Sequence, residues 1–173
     1  VIFYAVFFAA FVSASFSAAS DREAVPPMRA EWVSTVSNID YPSKPGLSAD
    51  ELRREADAIL DRAVELGLNA IFLQVRPMGD AFYPSKIYPR SNFISGAQGK
   101  APDDELDVLA YWLEGAHSRG LQLHAWVNPY RVTAGNYPKE KLAPTNPAIL
   151  HPEWTFEFNG NIYLNPGVPE ARE

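Results

Sequence analysis

Apolar and polar positions follow distinct patterns in successive parts of this chain. Val1 to Val12 are apolar without exception, and Ser13 to Ser20 are small or polar apart from Phe16. An apolar core followed by small residues, with Ser17-Ala18-Ala19 as a cleavage site, is the layout of a secretory signal peptide. The run is shorter than the ~20 apolar residues of a membrane span. The sequence therefore predicts a leader over 1–19 removed after Ala19, a short linker over 20–27, and an exported domain over 28–173 with no transmembrane span.

Within that domain Met28 to Thr35 reads as a strand and runs into a turn-rich stretch, Asn38 to Gly46. Ser48 and Glu51 have capping-box spacing, and Leu52, Ala56, Ile59, Leu60, Ala63 and Leu66 then recur at helical period up to Gly67. Asn69 to Val75 is a short, nearly continuous apolar run of the kind found in strands buried on both faces. A second helix is predicted over Asp103 to Arg119, with Leu106, Leu109, Ala110, Leu113 and Ala116 on one face and Gly120 closing it. Leu121 to Val127 is the next strand.

The two helix-to-strand junctions, Leu66-Gly67-Leu68-Asn69 and Arg119-Gly120-Leu121-Gln122, repeat each other about 53 residues apart. Strands alternating with helices imply parallel pairing through right-handed crossovers. The loops Pro77 to Pro102 and Pro129 to about Trp154 each exceed the ~12–15 residues beyond which a loop is usually functional. No glycine-rich phosphate fingerprint follows a strand, so a (β/α)8 barrel is favoured over a dinucleotide fold. A complete barrel needs about 250 residues. The expectation is an α/β TIM barrel truncated to about its first three to four βα units, ending as a further helix begins at Arg172-Glu173.

Composition narrows the chemistry. Lys+Arg of 15 against Asp+Glu of 21 gives a net charge of -6, which leaves no basic footprint for phosphates and disfavours nucleic acid as a partner. With no cysteine and three histidines, disulfides, thiolate metal sites and a cysteine nucleophile are excluded, and neither a metal nor another cofactor is expected.

The predicted strand ends carry planar polar and aromatic residues: Gln74 and Arg76, then His124, Trp126 and Asn128, with Asp80, Phe82, Tyr83, Tyr130 and Arg131 just beyond. Carbohydrate sites need this mixture, because aromatic faces cover sugar C–H surface while amides, guanidinium and carboxylates bond the hydroxyls. Each residue also has a scaffolding reading: Arg76 as the partner of a carboxylate, His124 as a satisfied core histidine, Asn128 as a turn former, Asp80 bonded to its own loop. Arg29 and Glu31 share a parity in the first strand and read as a structural pair. Glycoside hydrolysis usually requires two carboxylates. Only Asp40 and Asp80 lie soon after strand ends, and no catalytic pair is evident.

Four blocks in order, MRAEWVSTVSNIDYPSKPG, FLQVRPMGDAFYPSKIYPRS, HAWVNPYR and YLNPGVPEAR, resemble the glycosyl hydrolase-like family ten, also called domain of unknown function 187. The resemblance covers Met28 to Arg172. It implies a bacterial, exported or envelope-associated (β/α)8 barrel and a polysaccharide partner, the peptidoglycan glycan strand. Gln74, Arg76, Asp80, Tyr83, Asn128, Tyr130 and Arg131 match the family's motif positions at the site face. The family continues into a strand ending in an Asp-Asp-Tyr motif that this sequence lacks, which puts the catalytic acids outside it and predicts an inactive fragment. A non-catalytic carbohydrate-binding barrel is the alternative of a different class, and a metal-dependent deacetylase is disfavoured by the scarcity of histidine.

Overall fold

The computed structural model describes residues 27–135 and 137–172. The expected leader and residues 20–26 of the linker lie outside the described residues. In chain order the elements are β1 (Ala30–Val33), α1 (Ala49–Glu65), β2 (Ala70–Arg76), a short α2 (Asn92–Ser95), α3 (Val108–Ser118), β3 (Gln122–Val127), a short α4 (Pro147–Leu150), and an antiparallel pair, β4 (Thr155–Phe158) and β5 (Asn161–Leu164). The first three strands form one parallel sheet in the order β1-β2-β3, as the alternation of strands and helices predicts.

Side-chain parity divides that sheet into two faces. Val33, Ile71, Leu73 and Val75 point to the helices and share a core with Leu52, Ala56, Leu60 and Ala63 of α1 and with Val108, Trp112 and Ala116 of α3. The capping box starts α1 as expected: the Ser48 hydroxyl accepts from the Glu51 amide, and the Glu51 carboxylate accepts from the Ser48 amide at 2.8 Å. The two helices pack tightly at Gly115, where a Cβ would stand 2.9 Å from Leu60 Cδ1. Charged groups stay at the rim, with Arg119 paired to Asp57 at 3.0 Å and Asp61 at 2.7 Å.

The repeated junctions are a repeated backbone motif. Gly67 and Gly120 take φ of +68° and +72°, the left-handed conformation glycine adopts at no steric cost. The amides of Leu68 and Leu121 then reach back to the Ala63 and Ala116 carbonyls at 3.0 and 2.9 Å, and those of Gly67 and Gly120 to Val64 and His117. This is the Schellman ending. It delivers Asn69 and Gln122 directly into pairing, their amides donating to the carbonyls of Arg29 and Asn69.

Three expectations are corrected. Asp103–Glu105 is a separate 3-10 turn, with positive φ at Asp104 and Glu105, because Asp107 caps a new helix by accepting from the Ala110 amide. The buried stripe of α3 is therefore Val108, Trp112 and Ala116, while Leu113 and Ala110 are exposed. Arg29 donates to the Gly67 carbonyl at 2.8 Å, so it is not committed to Glu31. The long loop after β3 is held by its own packing: Val132 and Thr133 bond to Ile162, Leu164 to Tyr130, and Val132, Leu142, Ala148, Ile162 and Leu164 form a second small core.

Candidate functional site

The C-terminal ends of β2 and β3 meet through a bulge. Gln74 stands opposite Trp126, but Arg76 stands opposite Val127, so Val75 is an extra residue and the register shifts just before the strand ends. Bulges re-aim side chains in this way. Arg76 and Asn128 remain adjacent: the Asn128 amide donates to the Arg76 carbonyl at 3.0 Å, and its side-chain Nδ2 donates to the Pro77 carbonyl at 3.0 Å. Asn128 Oδ1 accepts from the Trp126 indole at 3.2 Å within the end of β3, so Nδ2 alone carries the side-chain link across to the end of β2.

Among the described residues Arg76 pairs with no carboxylate. Its guanidinium carbon lies 3.6 Å from the centroid of the Tyr88 ring, and its Nε and one Nη are buried without a hydrogen-bond partner. Stacking on an aromatic face holds a guanidinium while leaving its donors for another group. Gln74 is spent differently. It is fully buried, and its Oε1 accepts from the amides of Thr35 and Val36, both at 2.9 Å, tying the end of β1 to β2.

His124 and Trp126 lie on the sheet face away from the helices. Trp32, Phe72 and His124 are register partners and stack in a row, with ring centroids 4.7 Å apart at each step, and Trp126 meets Trp32 edge-on at 5.1 Å. This aromatic face is open, with Trp32 58% exposed. Tyr83 packs on the main core and Tyr130 on the small one, while Arg131 bridges to Tyr163 of β5. The predicted residues therefore fall into a strand-end group (Arg76, Trp126, Asn128), a sheet-face group that His124 joins, and loop residues placed on either core.

Asp80 stands apart from all of these. It is completely buried, and burial pushes its carboxyl up from 3.8 to about 6. The Ser91 and Gln98 side chains and the Met78 and Asn92 amides lower it in part, yet neither carboxylate oxygen has a partner at full hydrogen-bond geometry. Around it, Asn146 Nδ2 donates to the Gly79 carbonyl at 2.8 Å and to Gln98 Oε1 at 3.1 Å, and Gln98 Oε1 also accepts from the Ala143 amide. Asp40, the other candidate acid, uses Oδ2 to accept from the Ser34 amide at 2.8 Å. Among the described residues no group of three or more His, Asp or Glu is arranged to hold a metal ion.

Sequence reasoning missed Tyr88, which carries Arg76, Ser91, which lies against Asp80, and Gln98 and Asn146, whose hydrogen bonds join the loops after β2 and β3. Nothing in their local pattern marks them. The β4–β5 pair was missed as well, although it has a local signal: Asn159-Gly160, at φ of 47° and 71°, is the two-residue turn that joins the strands.

The chain is 44% identical over 157 residues to a protein of Bacillus subtilis (strain 168) named glycosyl hydrolase YngK, covering 91% of this chain and 30% of that protein. It is 34% identical over 170 residues to glycosyl hydrolase DigH of Escherichia coli (strain K12), covering 90% of this chain and 38% of the relative. The chain thus spans about a third of the length of these curated relatives. Residues 27–173 match glycosyl hydrolase-like 10, and this chain belongs to that family.

Proposed function

We propose that this chain is the N-terminal part of an exported glycoside hydrolase acting on peptidoglycan glycan strands or a related polysaccharide. The observation that carries the reading is the strand-end group, where the Arg76 guanidinium keeps unpartnered donors beside Tyr88 and the stapled pair Trp126 and Asn128. Sugar recognition needs fork donors next to aromatic faces, and this family's relatives carry the name glycosyl hydrolase. The same reading extends the parallel sheet into a (β/α)8 barrel. The free edge of β3, the open aromatic face and the exposed Leu113 of α3 are surfaces that further βα units would cover. In that barrel the catalytic carboxylates come from later strand ends, and the 173-residue piece alone is inactive.

The test is hydrolysis of purified glycan strands by the full-length protein, read as new reducing ends, with Arg76→Ala in parallel. Turnover that falls in the variant while its melting temperature holds supports the reading, and the absence of new reducing ends sinks it. A non-catalytic carbohydrate-binding barrel is favoured by one feature, that Asp80 is sealed and Asp40 is tied to a backbone amide. Glycan retention without cleavage would select it. Sequencing the N-terminus of the secreted protein tests export, with a mature start after Ala19 expected.

A further inference from the structure

Beside the strand-end group lies a cavity of about 360 Å³, lined in part by Ser85, Lys86, Tyr88, Arg90 and Thr145. No acidic residue lines it, although the chain carries a net charge of -6. Arg90 is half-buried, its Nη1 is buried without a hydrogen-bond partner, and the Glu105 and Asp107 carboxylates act on it without forming an ion pair. Asp107 is already committed to capping α3. Lys86 is exposed and closes no ion pair among the described residues. Ser85 Oγ accepts from the Ile87 and Tyr88 amides at 3.2 and 3.1 Å, which leaves its own proton to donate.

The cavity is also preformed. Arg90 forms a parallel bridge with Ala81, the Ala81 amide donates to the Pro89 carbonyl and the Ser91 amide to the Ala81 carbonyl, both at 2.9 Å, and the Gly99 amide donates to the Arg90 carbonyl at 2.8 Å. Two cations and a hydroxyl donor held in a concave wall with no internal counter-ion form an oxyanion receptor. A buried guanidinium nitrogen left unpaired is costly until an anion meets it. Tyr88 is shared, since its ring carries Arg76 at the strand end.

We propose that this cavity binds the carboxylate of an acidic sugar unit, so that the site selects carboxylated glycans over neutral ones. The proposal rests on the glycan reading above, and Arg90 and Lys86 act as specificity-determining residues.

Amide shifts of the isotope-labelled full-length protein, titrated with methyl glucuronide, methyl glucoside and inorganic phosphate, test it. Methyl glucuronide is expected to move the amides of residues 85–88, 90, 99 and 145, with binding weakened about ten-fold or more by Arg90→Gln and reduced by added salt. Lys86→Gln, an exposed change, is expected to weaken it without altering the melting temperature. Equal binding of the glucoside, response to phosphate alone, or affinity unchanged in both variants overturns the proposal. Hydrolysis that cleaves acidic and neutral strands equally would also overturn it while leaving the hydrolase reading intact. Selective glucuronide binding with no cleavage of any glycan would support the cavity and defeat the hydrolase reading instead.

Discussion

The helix-covered sheet and the loop layer above its C-terminal end differ in what they bury, because the loops seal polar side chains beside their apolar ones. Under α1 and α3 the sealed side chains are Leu52, Leu60, Ile71, Leu73 and Trp112, and ion pairs are confined to the rim. Among the loops the sealed side chains include Asp80, Ser91, Gln98, Thr133 and Asn146. An apolar core tolerates imperfect orientation, because hydrophobic burial has no direction. A buried polar group demands a partner at fixed geometry, so it fixes where each loop runs. The molecule spends directional interactions where a site needs position and uses undirected ones where it needs only cohesion.

Breaking each layer should give different signatures. Trp112→Ala removes the largest sealed side chain of the apolar layer and is expected to cost about 3–5 kcal/mol. Urea unfolding should show it as a global loss, with protection from hydrogen exchange falling in α1 and β2 as much as in α3.

The Asp80 carboxyl gives the loop layer a pH dependence. Its value is raised from 3.8 to about 6 on folding, so the folded state holds the proton more tightly than the unfolded one. Its contribution is therefore most favourable below about pH 4, is lost as pH rises through about 6, and is constant above that, a span worth about 3 kcal/mol. Asp80→Asn should abolish that slope and leave the variant at least as stable as the parent at pH 7. Chemical denaturation of both proteins between pH 3.5 and 7 checks this, and parallel pH profiles would contradict it.

Asn146→Ala sharpens the contrast. It frees the Gly79 carbonyl and removes the cap on the Ala148 amide, at an expected cost of about 1–3 kcal/mol. Amide exchange should rise around 79, 98 and 143–148 while the sheet stays protected. The smallest effect is expected at the rim. Arg119→Ala breaks the pairs with Asp57 and Asp61, whose partners are substantially exposed, and should cost about 1 kcal/mol or less in thermal melting.

Asn128 lies between the two regimes. As a sugar ligand alone it would be replaceable without loss of stability, but its side chain joins Pro77 to Trp126. Glycan turnover in Asn128→Ala therefore has to be read beside its unfolding curve.

The sequence alone determined the parallel βαβ order, because apolar period, capping box and the repeated glycine endings are local and strong. It located Arg76 and Asn128 at neighbouring strand ends for the same reason: both follow directly from where a strand stops. The true start of α3 was obscured because the acidic run 103–107 satisfies helix-start rules at several positions, and only the Asp107 side chain on the Ala110 amide selects one. The pattern likewise put Leu113 rather than Val108 on the buried face of α3, since the two have equal apolar character and only packing against α1 separates them. Tertiary structure alone decided the fate of the polar residues. Gln74 and Asp80 each read as a ligand in one dimension, yet one anchors the end of β1 and the other is sealed beneath loops that converge from positions far apart in the chain. A polar side chain takes its role from the partners that reach it, and those partners are set by the fold.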